Sequence, residues 1–82
     1  MERYILQYAS MNFEGALSMD CLGPFDSMDD ALQQQKMIMD EFARENSSMA
    51  DELIIEECGN FQRIAYRNDL TEIQSRIIML EL

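Results

Sequence analysis

Residues 52–67, ELIIEECGNFQRIAYR, contain two segments of alternating apolar and polar residues that meet at Gly59-Asn60. A glycine and an asparagine between two such segments are typical of a two-residue hairpin turn. That turn would set the cross-strand pairs Cys58–Phe61, Glu56–Arg63, Ile54–Ala65, Glu52–Arg67, Ile55–Ile64 and Leu53–Tyr66. Two opposite-charge pairs then share one face, and the other face carries an apolar patch that a helix can cover. The sequence therefore predicts an antiparallel hairpin in this register.

A helix is predicted immediately upstream. Gly23-Pro24 stops the preceding strand, Ser27 is suited to cap a helix, and Asp29 and Asp30 follow in its first turn. Apolar residues then recur at helical spacing up to Glu45, interrupted by one polar residue, Gln35. The apolar positions are Met28, Ala31, Leu32, Ile38, Met39 and Phe42. This pattern predicts an amphipathic helix that lies on a sheet.

The remaining segments indicate strands. Tyr4, Leu6 and Tyr8 alternate within residues 3–9, and Leu17 and Met19 begin a second alternation that continues to Cys21. Residues 69–82 fit either a short helix or a strand, and their β-branched residues favour the strand. We therefore predict a single domain over residues 1–82 of the α+β class. Its antiparallel sheet has four to five strands, with one long amphipathic helix packed on one face, in the order β-β-α-β-β-β.

The composition argues against catalysis and against bound cofactors. The chain of 82 residues has no histidine, and its single lysine, Lys36, has no serine nucleophile at a recognisable spacing. Cys21 and Cys58 lie too far apart for a metal or redox motif, so we expect buried, inert thiols. The cluster Asp20, Asp26, Asp29 and Asp30 lacks the ligand order of a calcium loop, and we interpret it as helix capping and solvation. We predict neither an enzyme nor a metal site.

No segment has the pattern of a secretory signal or of a membrane span, so we expect a cytoplasmic protein.

The chain contains eight methionines, whose side chains are flexible enough to pack in a core or to contact a partner at a binding surface. We expect buried methionines at Met19, Met28, Met39 and Met79, and exposed ones at Met11, Met37 and Met49.

The net charge of −10 is unevenly distributed along the chain. Residues 14–57 hold twelve acidic residues against Lys36 and Arg44, whereas the remainder holds four acidic residues and four arginines. This excess argues against direct binding to nucleic acid or to an anionic membrane, and it favours steering toward a basic protein surface. The predicted partner-binding residues lie on the polar face of the helix. They are Asp29, Asp30, Met37, Asp40, Glu41 and Glu45.

The strand, the segment Gly23-Pro24-Phe25-Asp26-Ser27 and the helix with an acidic start together resemble small acidic bacteriophage accessory proteins over residues 1–45. The resemblance implies an inhibitor of a host or defence protein, such as a nuclease or a transcription component, acting in the host cytoplasm. Some proteins of that class mimic DNA with their carboxylates. Here Lys36 and Arg44 interrupt the acidic face, so mimicry would be partial.

Two other functions fit the residues. An uncovered edge strand, at residues 73–81 or 3–9, would allow a structural homodimer. Alternatively, a pocket between protomers would bind an anionic small molecule through Arg63, Arg67 or Arg76, although the first two also suit cross-strand pairs with Glu56 and Glu52.

Overall fold

The chain forms an antiparallel five-stranded sheet with one helix packed on one face. A computed structural model describes residues 2–46, 53–66 and 70–81. The elements are β1 (Glu2–Met11), β2 (Leu17–Phe25), α1 (Met28–Glu45), β3 (Leu53–Cys58), β4 (Phe61–Tyr66) and β5 (Glu72–Glu81). Their order across the sheet is β2-β1-β5-β4-β3. The predicted α+β class, element order and strand number are confirmed.

The β3–β4 hairpin has the register that its sequence predicts. Five of the six predicted pairs form, from Leu53 opposite Tyr66 to Cys58 opposite Phe61. The sixth, Glu52 with Arg67, lies outside the described residues. Gly59 has a φ of +57°, the left-handed conformation that a tight hairpin turn requires and that glycine adopts at little cost.

The C-terminal segment is a strand, so the helical alternative is wrong. β5 pairs with β1 along its full length, from Glu2 opposite Glu81 to Met11 opposite Glu72, and it pairs with β4 on its other side. β1 pairs with β2 on one side and with β5 on the other, whereas β5 pairs with β4 only at residues 72–75. The predicted free edge at residues 3–9 is therefore wrong. Among the described residues, 76–81 of β5 pair only with β1, so a dimer through this part of the strand stays a prediction. The outermost strands of the sheet are β2 and β3.

The core lies between α1 and the sheet. One cluster joins Leu6 and Ile77 to Ala31 of the helix, and a second surrounds Met39 with three sheet residues, Ile64, Tyr66 and Ile73. We expected α1 to cover the apolar face of β3 and to bury its own apolar side chains, but two residues of β3 and one residue of α1 are exposed. Ile55 is 59% exposed, Leu53 37% and Leu32 38%, because α1 packs chiefly against β1, β5 and β2.

The β2 side chains that the sequence predicts to be buried face away from α1. Leu17, Met19 and Cys21 are exposed on the side away from α1, and Met19 is 74% exposed. Leu22 and Phe25 pack into the core instead, and the pairing of β2 with β1 shifts between Tyr4 and Leu6. Alternation along a strand separates two faces but does not say which face a helix covers.

The burial predictions for the methionines and cysteines are confirmed only in part. Met39 is buried as expected, whereas Met79 is 53% exposed. Cys21 and Cys58 are exposed free thiols, so the expectation that they are buried is wrong. Within the described residues, no helix is long and apolar enough to cross a membrane.

Candidate functional site

The sequence defines both ends of α1. Ser27 has extended backbone angles, and its hydroxyl accepts a hydrogen bond from the backbone N–H of Asp30 at 3.2 Å. Asp29 and Asp30 occupy the first turn and Arg44 the last, as the helix dipole favours. The buried Ala31, Gln35 and Met39 determine which side of the helix faces the sheet and which faces solvent.

All six predicted partner-binding residues lie on the exposed side of α1, opposite the buried Ala31, Gln35 and Met39. They do not form one cluster. At 100° per residue, four of them fall within a sector of about 80°. We call these four the α1 stripe; they are Asp30, Met37, Glu41 and Glu45. Asp29 and Asp40 lie on the other flank of the helix, so the structure separates them from the stripe.

Charge pairing also distinguishes the two groups. Lys36 Nζ lies 3.5 Å from Asp40 Oδ2, one helical turn away, which partly neutralises that carboxylate. Among the residues that the structure describes, Asp30, Glu41 and Glu45 have no ion-pair partner. Arg44 borders the stripe, so the net charge of this surface is about −2.

Met37 lies inside the stripe and is 62% exposed. A flexible, polarizable thioether among carboxylates provides an apolar contact that can adapt to a partner. The expectation of an exposed Met37 is thus confirmed. Met11 is half-buried, and Met49 lies outside the described residues.

Two of the four aspartates in the predicted capping cluster bind protein groups. Arg3 forms an ion pair with Asp26, and the Tyr8 hydroxyl donates to Asp20 at 3.3 Å. Burial and the neighbouring Asp20 carboxylate raise the pKa of Tyr8. Within the described part of the chain, no group of three or more histidine, cysteine or acidic residues is arranged to hold a metal ion.

The arginines considered for an anionic ligand occupy different environments. Arg63 Nη1 lies 2.6 Å from Glu56 Oε1, which is the predicted cross-strand pair. Arg63 Nη2 also lies 2.6 Å from Glu72 Oε1, a partner that the sequence did not indicate. The hydrogen bond to Glu72 raises the pKa of Arg63. Arg67 lies outside the described residues. Arg76 is exposed on the side of the sheet opposite α1, which we call the open face.

A concavity of about 570 Å³ crosses β4, β5, β1 and β2 on the open face. We call it the open-face groove. Side chains around it include Gln7, Met19, Cys21, Phe61, Gln74 and Arg76. The groove follows from the unexpected orientation of the β2 side chains, which places Met19 and Cys21 on this face. Sequence reasoning missed it, although Arg76 was among the candidate residues.

Comparison with known proteins adds no further constraint. The chain matches no protein-family model, and it is similar to no curated protein and to no solved structure.

Proposed function

We propose that this protein is a non-enzymatic binding module that presents the α1 stripe to a basic site on another protein. The observation that carries the proposal is a group of three carboxylates beside the exposed Met37, namely Asp30, Glu41 and Glu45, which have no ion-pair partner among the described residues. Its partner is a nucleic-acid-binding host or defence protein, which it inhibits by occupying the basic site.

The physical basis is electrostatic steering followed by contact. Exposed carboxylates on one helix attract a basic surface over a distance of about 10 Å at moderate salt and chiefly raise the association rate. Met37, which lies between Asp30 and Glu41 along the helix, then supplies exposed apolar contact area beside the carboxylates. The helix is anchored by its buried side, so little ordering is required on binding.

Mimicry of DNA would be partial. Asp30 and Glu45 are 15 residues apart, which corresponds to about 22 Å along a helix. A DNA strand carries one phosphate per ~3.4 Å of helix axis, so it would present about six or seven charges over that length. Three carboxylates can occupy some of the phosphate positions of a basic site, and Met37 would add a contact that DNA lacks.

A charge-reversal pair with a matched control tests this proposal. The Glu41→Lys/Glu45→Lys variant and the control Glu14→Lys/Glu57→Lys each change the net charge from −10 to −6. All four residues are exposed. Proteins captured from a bacterial lysate by the wild-type chain are identified, and the affinity of the purified partner is then measured at low and high salt.

We expect the stripe variant to bind at least about tenfold more weakly than the control, with a weaker dependence on salt. We leave Asp40 unchanged because its reversal would also break the pair with Lys36. Equal affinities and equal salt dependence for the two variants would contradict the proposal, because net charge alone would then account for binding.

A further inference from the structure

Arg63 and Arg76 lie on the same face of the sheet but have opposite surroundings. Arg63 is held by two carboxylates, each at 2.6 Å. Arg76 has no ion-pair partner among the residues that the structure describes, although the chain as a whole contains 16 acidic residues. The fold thus provides partners for one arginine and leaves the charge of the other uncompensated.

The residue opposite Arg76 on the neighbouring strand is neutral and is hydrogen-bonded to it. Gln7 stands directly opposite on β1, and its Oε1 atom accepts a hydrogen bond from Arg76 Nε at 3.2 Å. This bond uses the Nε–H, so the two terminal nitrogens of the guanidinium make no hydrogen bond within the described chain. They are free to donate to an external oxyanion in the two-pronged geometry that arginine favours.

The amides beside Arg76 add one donor and one acceptor. Because Gln7 accepts through its oxygen, its amide N–H groups remain free to donate. Gln74 donates through Nε2 to Glu72 at 2.8 Å, which leaves its own oxygen free to accept. The groove thus offers polar groups of both kinds beside its positive charge.

The groove has apolar side chains at both ends. Asp20 also lines it, and its carboxylate accepts hydrogen bonds from the Tyr8 hydroxyl and the backbone N–H of Cys21. Phe61 lies at the β4 end and Met19 and Cys21 at the β2 end. A volume of about 570 Å³ falls within the range of roughly 300–1,000 Å³ that is usual for small-molecule sites. An aromatic ring and a thioether are suited to pack against a flat apolar group.

We propose that the open-face groove binds a small planar organic anion. A carboxylate or phosphate group contacts Arg76 and the amide of Gln7, and the ring of the ligand packs against an apolar end of the groove, at Phe61 or at Met19. This site is separate from the α1 stripe, which lies on the other side of the sheet.

A second copy of the chain is a poorer occupant. Arg76 lies on the central strand β5, so a symmetric face-to-face dimer would bring two uncompensated arginines into a buried interface. Burying unpaired like charges costs free energy. A ligand with its own negative charge would instead form an ion pair with Arg76.

Matched probes separate the oxyanion from the ring. The carboxylate probe is 2-naphthoate, with the neutral 2-naphthamide as its control; the phosphate probe is adenosine 5′-monophosphate, with adenosine as its control. Inorganic phosphate alone tests the anion without a ring. Binding is followed by two-dimensional amide NMR of the full chain and by calorimetry.

Three variants localise the site. Gln7→Glu places a carboxylate opposite Arg76 and so supplies the missing partner from within the chain, with almost no change of shape. Arg76→Gln removes the charge. Arg44→Gln removes an equal charge from the exposed surface of α1 and serves as the control.

We expect at least one of the two anionic ring compounds to shift the amide resonances of Gln7, Gln74 and Arg76, and to bind about tenfold or more tightly than its neutral control. Gln7→Glu and Arg76→Gln should each weaken that binding about tenfold, and Arg44→Gln should leave it within about twofold.

Four outcomes would overturn the proposal. They are no binding of either anion at millimolar concentration, equal binding of the neutral controls, equal losses in Arg44→Gln and Arg76→Gln, and concentration-dependent shifts at Met19 and Phe61 without a probe. The last result would show that a second copy covers the groove.

Discussion

Gln35 is the one polar residue in the apolar stripe of α1, and the structure gives it a role. It is 1% exposed, and its Nε2 donates to the backbone oxygen of Asn60 at 2.8 Å and to Ser75 Oγ at 3.1 Å. The helix is thereby joined to the β3–β4 turn and to the central strand. Its own Oε1 atom is buried and has no hydrogen-bond partner among the described residues.

We expect Gln35→Met to lower the free energy of unfolding by about 1–2 kcal/mol, because it leaves the Asn60 carbonyl and the Ser75 hydroxyl with fewer partners. The loss is limited because the unpaired Oε1 is removed as well. Urea denaturation measures it, with the exposed Gln33→Met as the control. A Gln35→Met protein as stable as the wild type would refute this role.

The buried Tyr66 is expected to make the free energy of unfolding decrease at alkaline pH. Burial raises its pKa above the ordinary value of 10.0. The folded state therefore holds the phenolic proton more tightly than the unfolded chain does. This stabilisation is fully present below pH 10 and is lost as the pH rises from there through the folded-state pKa.

Tyr66→Phe tests this dependence and keeps the ring that lies 6.3 Å from Phe42. Between about pH 8 and about pH 11, we expect the wild type to lose unfolding free energy more steeply than the variant. Tyr4 and Tyr8 remain in both proteins, so only the contribution of Tyr66 differs. Parallel curves would show that this hydroxyl titrates alike in both states.

At the level of elements, Gly23 permits the irregular pairing of β2 with β1. Its φ is +122°, and a Cβ atom there would lie 2.9 Å from the backbone oxygen of Tyr4. We expect Gly23→Ala to destabilise the fold by about 2 kcal/mol or more, since both strain and a backbone clash arise.

Gly59→Ala is the comparison, because its φ of +57° is also unusual but no atom lies within 4 Å of the added carbon. It should cost only about 1 kcal/mol. Thermal or urea unfolding of both variants decides the matter. A smaller loss for Gly23→Ala than for Gly59→Ala would contradict the importance of the close approach to β1.

Local signals predicted the elements, but the sequence did not show which side of each strand α1 covers. The Gly59-Asn60 turn and the pair Glu56–Arg63 specified one register, and Ser27 specified the start of the helix. In β2, Leu17 and Met19 alternate as regularly as core residues do, yet they form part of the open face. Their exposure depends on the pairing shift near Gly23 and on the path of α1 over β1 and β5.

On the scale of the whole molecule, the two faces differ in what they present. The sequence predicted the carboxylates of α1, because helical periodicity places them opposite a core stripe. It could not separate Asp40, which is paired with Lys36, from Glu41 and Glu45, which have no ion-pair partner in the part of the chain that the structure describes. The open-face groove depends on contacts between distant strands, and only the neutral residues flanking Arg76 in β5 hinted at it.

The most direct test of the α1 stripe is an amide NMR titration of the full chain with its purified partner. We predict that the perturbed resonances lie along α1, at Asp30, Met37, Glu41 and Glu45, and that the Glu41→Lys/Glu45→Lys variant loses these perturbations. Perturbations confined to β5 and β2 on the open face, with α1 unchanged, would contradict the proposal that the helix is the binding surface.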